Sequence, residues 1–78
     1  LEGIRLEKSR NGNGLVVSDL KPNSPAAYTG LRPGDVIVGV NRKRVTSLSD
    51  FYAALKLSEN SILLQISRNG RPMYLVVR

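Results

Sequence analysis

The sequence predicts an α+β domain of five or six strands and two short helices, folded as a partly open barrel or sandwich. Three stretches carry that prediction. Residues 24–41, SPAAYTGLRPGDVIVGVN, read as a capped helix, a tight turn and a buried strand, in that order. Leu48, Phe51, Tyr52 and Leu55 fall at i, i+3, i+4 and i+7, one apolar stripe along a second helix. Asn69-Gly70 stands between two apolar runs, the strongest short-range signal for a hairpin.

From the start of the chain, Ile4, Leu6 and Lys8 alternate with Arg5 and Glu7, the period of a half-buried strand over residues 4–8. Residues 9–14, SRNGNG, read as a turn in which two Asn-Gly pairs supply positive φ at little cost. Residues 15–20, LVVSDL, form a second strand, and the two strands pair as a hairpin. Ser24 then caps the free amides of a first helical turn. Pro25 suits the first helical position, where its missing N–H would be unpaired anyway. Gly30 suits the left-handed residue that ends a helix. Pro33-Gly34 is the pair a type II turn prefers. Residues 36–40, VIVGV, read as a strand buried on both faces, with Gly39 marking close packing or a bulge.

Residues 41–43 turn the chain and residues 44–46 make a short strand. Ser47 caps the second helix, residues 48–56, and Asp50 stands where a capping box would place Glu. Residues 61–67 and 72–78 are the arms of the closing hairpin, with Pro72 tolerated as a first strand residue.

Seventy-eight residues allow one domain. A chain of that size buries only about 60–65% of its unfolded surface, so the core is small. There is no cysteine, and so no disulfide or thiolate metal site. There is no histidine, which removes the commonest general base and metal ligand. No histidine can therefore activate any of the eight serines, and spacing alone leaves a serine–lysine arrangement open. Glu2, Glu7, Asp19, Asp35, Asp50 and Glu59 show no ligand-like spacing, and Asp35 is placed to bond the amides of the Pro-Gly turn. No cofactor or metal site is expected. Gly12-Asn13-Gly14 lacks the strand-to-helix context and further glycine of a nucleotide loop. No run of about 18 apolar residues exists to span a membrane. LEGIRLEKS lacks the basic and apolar regions of a signal peptide, so an export signal would lie on a longer precursor.

The formal net charge is +6, from 12 Lys and Arg against 6 Asp and Glu. Such a balance suits an acidic partner. The cations are dispersed, however, and Arg42-Lys43-Arg44, in a turn, is their one cluster. Nucleic-acid binding would need exposed aromatics among basic neighbours. Of Tyr28, Phe51, Tyr52 and Tyr74, three fall on predicted helices, so no nucleic-acid partner is expected.

The order PAA…GL…GDVIVGVN, a short helix before a GD-initiated strand, resembles the centre of a PDZ domain. The similarity to the second PDZ domain of the HtrA/Deg serine proteases (DegP/DegQ-like, periplasmic) goes further. It takes in GLVVSDL upstream, NRKRV downstream and the closing Met73-Tyr74-Leu75-Val76. It covers nearly the whole chain and implies a PDZ-like fold with the bacterial permuted strand order, residues 1–78 forming the C-terminal module of a longer protease. It implies a non-catalytic, periplasmic peptide-binding domain whose parent is a trypsin-like serine endopeptidase engaged in quality control of unfolded envelope proteins, with chaperone activity in some members. The implied partners are C-terminal or extended peptides of unfolded proteins, and neighbouring PDZ or protease domains of the same assembly. No direct membrane insertion is implied. A membrane metalloprotease or a secretion-system scaffold is the alternative parent, which NRKRV and the final strand disfavour.

In the PDZ pattern a peptide adds as a strand between a sheet edge and the second helix. Its carboxylate is held by amides of a loop of the form X-Φ-G-Φ, Φ being apolar. Here that loop maps to Leu1-Glu2-Gly3-Ile4, so Glu2, Gly3 and Ile4 form the implied carboxylate loop. Glu2 departs from the pattern, and a carboxylate turned inward would weaken anion binding. The implied groove comprises Ile4, Arg5, Leu6, Glu7, Leu48, Phe51, Tyr52 and Leu55.

Overall fold

The computed structural model describes residues 3–57 and 61–77. Among the described residues six strands make one antiparallel sheet: β1 (Ile4–Lys8), β2 (Leu15–Leu20), β3 (Val36–Val40), β4 (Lys43–Arg44), β5 (Ile62–Arg68) and β6 (Arg71–Val77). The order across it is β1-β2-β3-β5-β6, with β4 paired to β3 off that path. The sheet does not close. Of the predicted barrel or sandwich it is the open form, and β1 and β6 are its edges. One α-helix, α1 (Leu48–Leu57), packs against β1 and β3.

The first predicted helix is a single 3-10 segment, Pro25–Thr29. Its ends are those expected. Ser24 Oγ accepts from the Ala27 N–H at 3.3 Å, and Gly30 closes it in the left-handed region at φ 96°. Five residues between a proline start and a glycine stop favour i→i+3 bonding, as in Ala27 N–H to the Ser24 carbonyl at 3.0 Å. The Pro33-Gly34 turn forms as expected, with the Asp35 N–H donating to the Arg32 carbonyl at 3.1 Å and Gly34 at φ 96°. The strand expected at residues 44–46 lies earlier, at Lys43–Arg44. Val45 leaves it to enter the core, its N–H bonded to the Val38 carbonyl at 3.1 Å. Of the two Asn-Gly pairs in the first turn, only Gly12 takes positive φ, 74°. Ser9 holds that turn, donating its N–H to the Gly14 carbonyl at 3.0 Å and accepting from the Asn13 N–H at 3.2 Å.

Gly39 proves to be both a close contact and a bulge. The β3–β5 register shifts between Ile37 and Gly39, and a Cβ at Gly39 would run into the Gln65 amide. The second helix starts as predicted, with Ser47 Oγ accepting from the Asp50 N–H at 3.1 Å. Asp50 reaches one residue further back than a capping box, to the Thr46 N–H at 3.2 Å and hydroxyl at 3.1 Å. Those two bonds, the amide first, hold its carboxyl below the usual aspartate value.

The core gathers Leu15, Val17, Ile37, Val40, Phe51 and Leu64, with Leu31, Val45, Ala54 and Ile66 around them. An ion pair between a buried Asp35 and a half-buried Arg68 closes one end. Asp35 accepts from the Arg32 N–H at 2.9 Å, as its place after the turn suggested. It also receives Arg68 Nε at 2.8 Å and Nη2 at 2.7 Å. Arg68 Nη2 donates in addition to the Gly30 carbonyl at 2.9 Å, tying the cap of the 3-10 segment to β5.

Candidate functional site

Strand β1 lies at the sheet edge, so one row of its backbone groups has no strand beside it. Which residues make that row follows from alternation. The Lys21 N–H donates to the Gly3 carbonyl at 2.8 Å, so Gly3 turns its polar groups toward the β2 side. Ile4 and Leu6 then turn theirs to the open edge. The register shift in this pair lies on β2: Arg5 opposes Asp19 and Leu6 opposes Val17, leaving Ser18 extra. The Ser18 hydroxyl donates to the Arg5 carbonyl at 3.2 Å, and the alternation along β1 is undisturbed.

The same parity sorts the side chains. Ile4 and Leu6 are half-buried against the core, while Arg5 and Glu7 are exposed. Across from them α1 carries two adjacent stripes. Phe51 and Ala54 enter the core, and Leu48, Tyr52 and Leu55 at i, i+4 and i+7 flank it. Leu55 is half-buried, Leu48 is exposed, and Tyr52 is 56% exposed with its ring edge-on to Phe51 at 5.7 Å.

Thus the fold brings Ile4, Leu6, Leu48, Tyr52 and Leu55 to neighbouring elements, beside an open strand edge. It does not do the same for every residue assigned to the groove. Phe51 is 1% exposed and is a core residue. It supports the Tyr52 ring and offers no surface of its own, because the heptad-like spacing that placed it on the stripe also placed it on the core side. Arg5 and Glu7 share β1 but not the parity of Ile4 and Leu6, so they offer backbone and charge there, not apolar lining. Glu2 lies outside the described residues.

Gly3 has φ 88°, a left-handed conformation that L side chains rarely adopt. A Cβ there would also strike the Ser24 side chain. Gly3 therefore packs closely against the cap of the 3-10 segment. Lys21, read in the sequence only as one of many dispersed cations, leaves the backbone beside Gly3. No local signal marks it, since its nearness depends on the β1–β2 register. Two concavities stand apart from this edge, on the sheet face turned away from the core, and neither is lined by a groove residue.

Comparison with known proteins identifies the family and the fold. A family model described as "PDZ domain" matches residues 16–68. The "Probable periplasmic serine endoprotease DegP-like" of Bartonella henselae is 42% identical over 79 residues, covering 96% of this chain and 16% of that protein. The "Periplasmic pH-dependent serine endoprotease DegQ" of Escherichia coli K12 is 38% identical over 81 residues, covering 100% of this chain and 18% of that protein. The chain thus spans less than a fifth of the length of these relatives. Among solved structures, the HtrA3 PDZ domain bound to a phage-derived ligand (FGRWV) superposes with a TM-score of 0.82 at 27% identity, covering 99% of this chain and 81% of that one. An HtrA-type protease, AlgWS227A with a decapeptide, shares the fold at a TM-score of 0.77 and 21% identity, covering 99% of this chain and 27% of that one.

Proposed function

Because the chain belongs to the PDZ domain family, a family of peptide-binding modules, we propose that it takes the C-terminal end of an extended polypeptide as an added strand on β1. The observation that carries this reading is the open edge at Ile4 and Leu6 beside the apolar stripe Leu48, Tyr52 and Leu55. The peptide backbone pairs with the edge, and its last side chain rests among those apolar residues. Its carboxylate lies at the amide of Ile4 and the turn at Gly3, with Lys21 supplying a nearby cation.

The parent is a Deg-type periplasmic serine endoprotease, and the bound segments belong to its unfolded substrates. The names of the relatives support that parent over a metalloprotease or a secretion scaffold. The PDZ domain alone is not catalytic; in such a parent, hydrolysis belongs to a separate protease domain.

The test is a titration of the isotope-labelled domain with peptides that differ only in a free or amidated C-terminus. Amide shifts should fall on residues 3–8 and 48–57. Hydrogen bonds to a charged group contribute about 1.5–3 kcal/mol, so amidation should weaken binding roughly ten-fold or more. Leu48→Lys should weaken it as well, and because Leu48 is exposed the fold should persist. Gly3→Val is a poor probe, since it would strain the backbone and press on Ser24. Equal binding of both peptides, or shifts elsewhere, would make the domain a packing module of an oligomer instead.

A further inference from the structure

The face of the sheet turned away from the core carries a second feature that the β1 groove does not use. Along β5, Leu64 and Ile66 are buried while Leu63 and Gln65 alternate onto the other face. β6 sets Tyr74 opposite Gln65. Here two concave spaces adjoin. One, of about 490 Å³, is lined by Asn13, Val38, Arg42, Arg44 and Gln65. The other, of about 590 Å³, shares Arg42 and Gln65 and adds Leu63 and Tyr74. They form one trough across β3, β5 and β6.

Its chemistry is one-sided. Arg42 and Arg44 are both exposed, and neither makes an ion pair within 4.0 Å among the described residues. No carboxylate is among the residues lining either space. Val38 and Leu63 supply half-buried apolar surface, Tyr74 is 64% exposed, and Asn13 and Gln65 bring amides that can bond a backbone. The backbone adds an independent sign. Asn41 at φ 51° and Arg42 at φ 71° make a turn with both central residues left-handed. The β5–β6 turn has the same form and fills it with Asn69 and Gly70, the pair that suits it. Here the glycine position holds an arginine, a local rule broken at the mouth of the trough.

We propose that this trough is a second polypeptide site, which takes an extended acidic segment of a partner protein independently of the β1 groove. Carboxylates meet Arg42 and Arg44, and an apolar side chain between them lies against Val38, Leu63 and Tyr74. A concave trough fits a chain better than a flat lipid surface. A single exposed aromatic among its lining residues gives little for stacked bases.

The test uses an acetylated and amidated decapeptide alternating Glu with Val and Phe, which offers the β1 groove no terminal carboxylate. Its counterpart carries Lys in place of Glu. In about 0.15 M salt, the acidic peptide should shift amides at residues 38, 42–44, 63–65 and 74, and the basic one should not. The double variant Arg42→Gly, Arg44→Gln removes both charges, and it restores the residue this turn prefers, so the fold should persist. It should weaken the acidic peptide about three- to ten-fold, as loss of two exposed charge contacts implies. Binding of a peptide with a free C-terminus to the β1 groove should not change. Equal binding by variant and parent, equal binding of the Lys peptide, or shifts confined to residues 3–8 and 48–57 would overturn the proposal. So would tighter binding of a single-stranded oligonucleotide of equal charge, which would make the trough a nucleic-acid surface.

Discussion

Asp35 is 2% exposed, and its carboxylate stays ionised there because the fold surrounds it with donors. Burial alone would raise its pKa. The Arg68 hydrogen bonds, the Arg32 amide and the charges of both arginines outweigh that and hold it below the ordinary value of 3.8. A carboxyl whose pKa is lowered by folding contributes stability above its unfolded pKa and loses it as pH falls through the folded one. Asp35→Asn should therefore destabilise at neutral pH, by about 1–3 kcal/mol for a buried hydrogen-bonded group. The gap between variant and parent should narrow below about pH 4, where the parent loses its own advantage. Urea unfolding at neutral pH and at about pH 3 checks this, and a gap that stays constant would refute it. Arg68→Met leaves a buried carboxylate without its cation, which raises that carboxyl's folded-state pKa, so lowering the pH should cost the variant less stability than it costs the parent, and the gap between them should narrow in acid. Half of this arrangement was legible in the sequence. Asp35 follows a Pro-Gly turn, and its bond to the Arg32 amide is local. Arg68 lies far along the chain, and only the register of β3 with β5 brings it there.

At the scale of elements, the two sheet edges are not equivalent. The β5–β6 turn has two residues, Asn69 and Gly70, so the flanking pair Arg68 and Arg71 exchanges hydrogen bonds. Alternation then turns Met73 and Leu75 toward β5, and Pro72, Tyr74 and Val76 toward the open edge. Pro72 lies second in β6, one place later than the sequence suggested, and its missing N–H falls on the open side. That side is where a proline blunts pairing without breaking the sheet. β1 has no proline, and its open groups at Ile4 and Leu6 lie beside the apolar stripe of α1. Pro72→Val would restore a donor on a strand whose exposed residues include Tyr74 and Val76. The variant should fold, and it should self-associate more than the parent at equal concentration, as sedimentation velocity would show. Matching sedimentation across a concentration series would mean that something other than Pro72 protects this edge. The local signals were readable: the Ser24 and Ser47 caps, the Pro-Gly turn and the Asn-Gly hairpin each act within a few residues. The trough and the separation of Phe51 from the groove were not, because both depend on which face of an element meets the core.

For the molecule as a whole, the sheet, α1 and a small core hold an open strand edge. The most buried carboxylate is committed to Arg68, and Asp50 to Thr46. Ser24 and Ser47 cap helical segments, Ser9 closes a turn, and Ser18 bonds across a bulge. The Ser24 hydroxyl also donates to the Lys21 backbone carbonyl at 2.6 Å, a bond to the main chain and not to the amine that the serine–lysine pairing left open by spacing would need. The chain has no histidine or cysteine, and it spans only 16–18% of the two endoproteases compared above. Peptide holding without cleavage is therefore the expectation for this domain by itself. The purified domain, incubated with an unfolded protein, should leave it intact over hours. A free-C-terminus peptide that binds the domain should likewise be recovered whole. Mass spectrometry of both mixtures decides the point. New fragments that disappear when a serine-directed inhibitor is added would place a nucleophile in this frame and overturn the reading of the domain as a binding module alone.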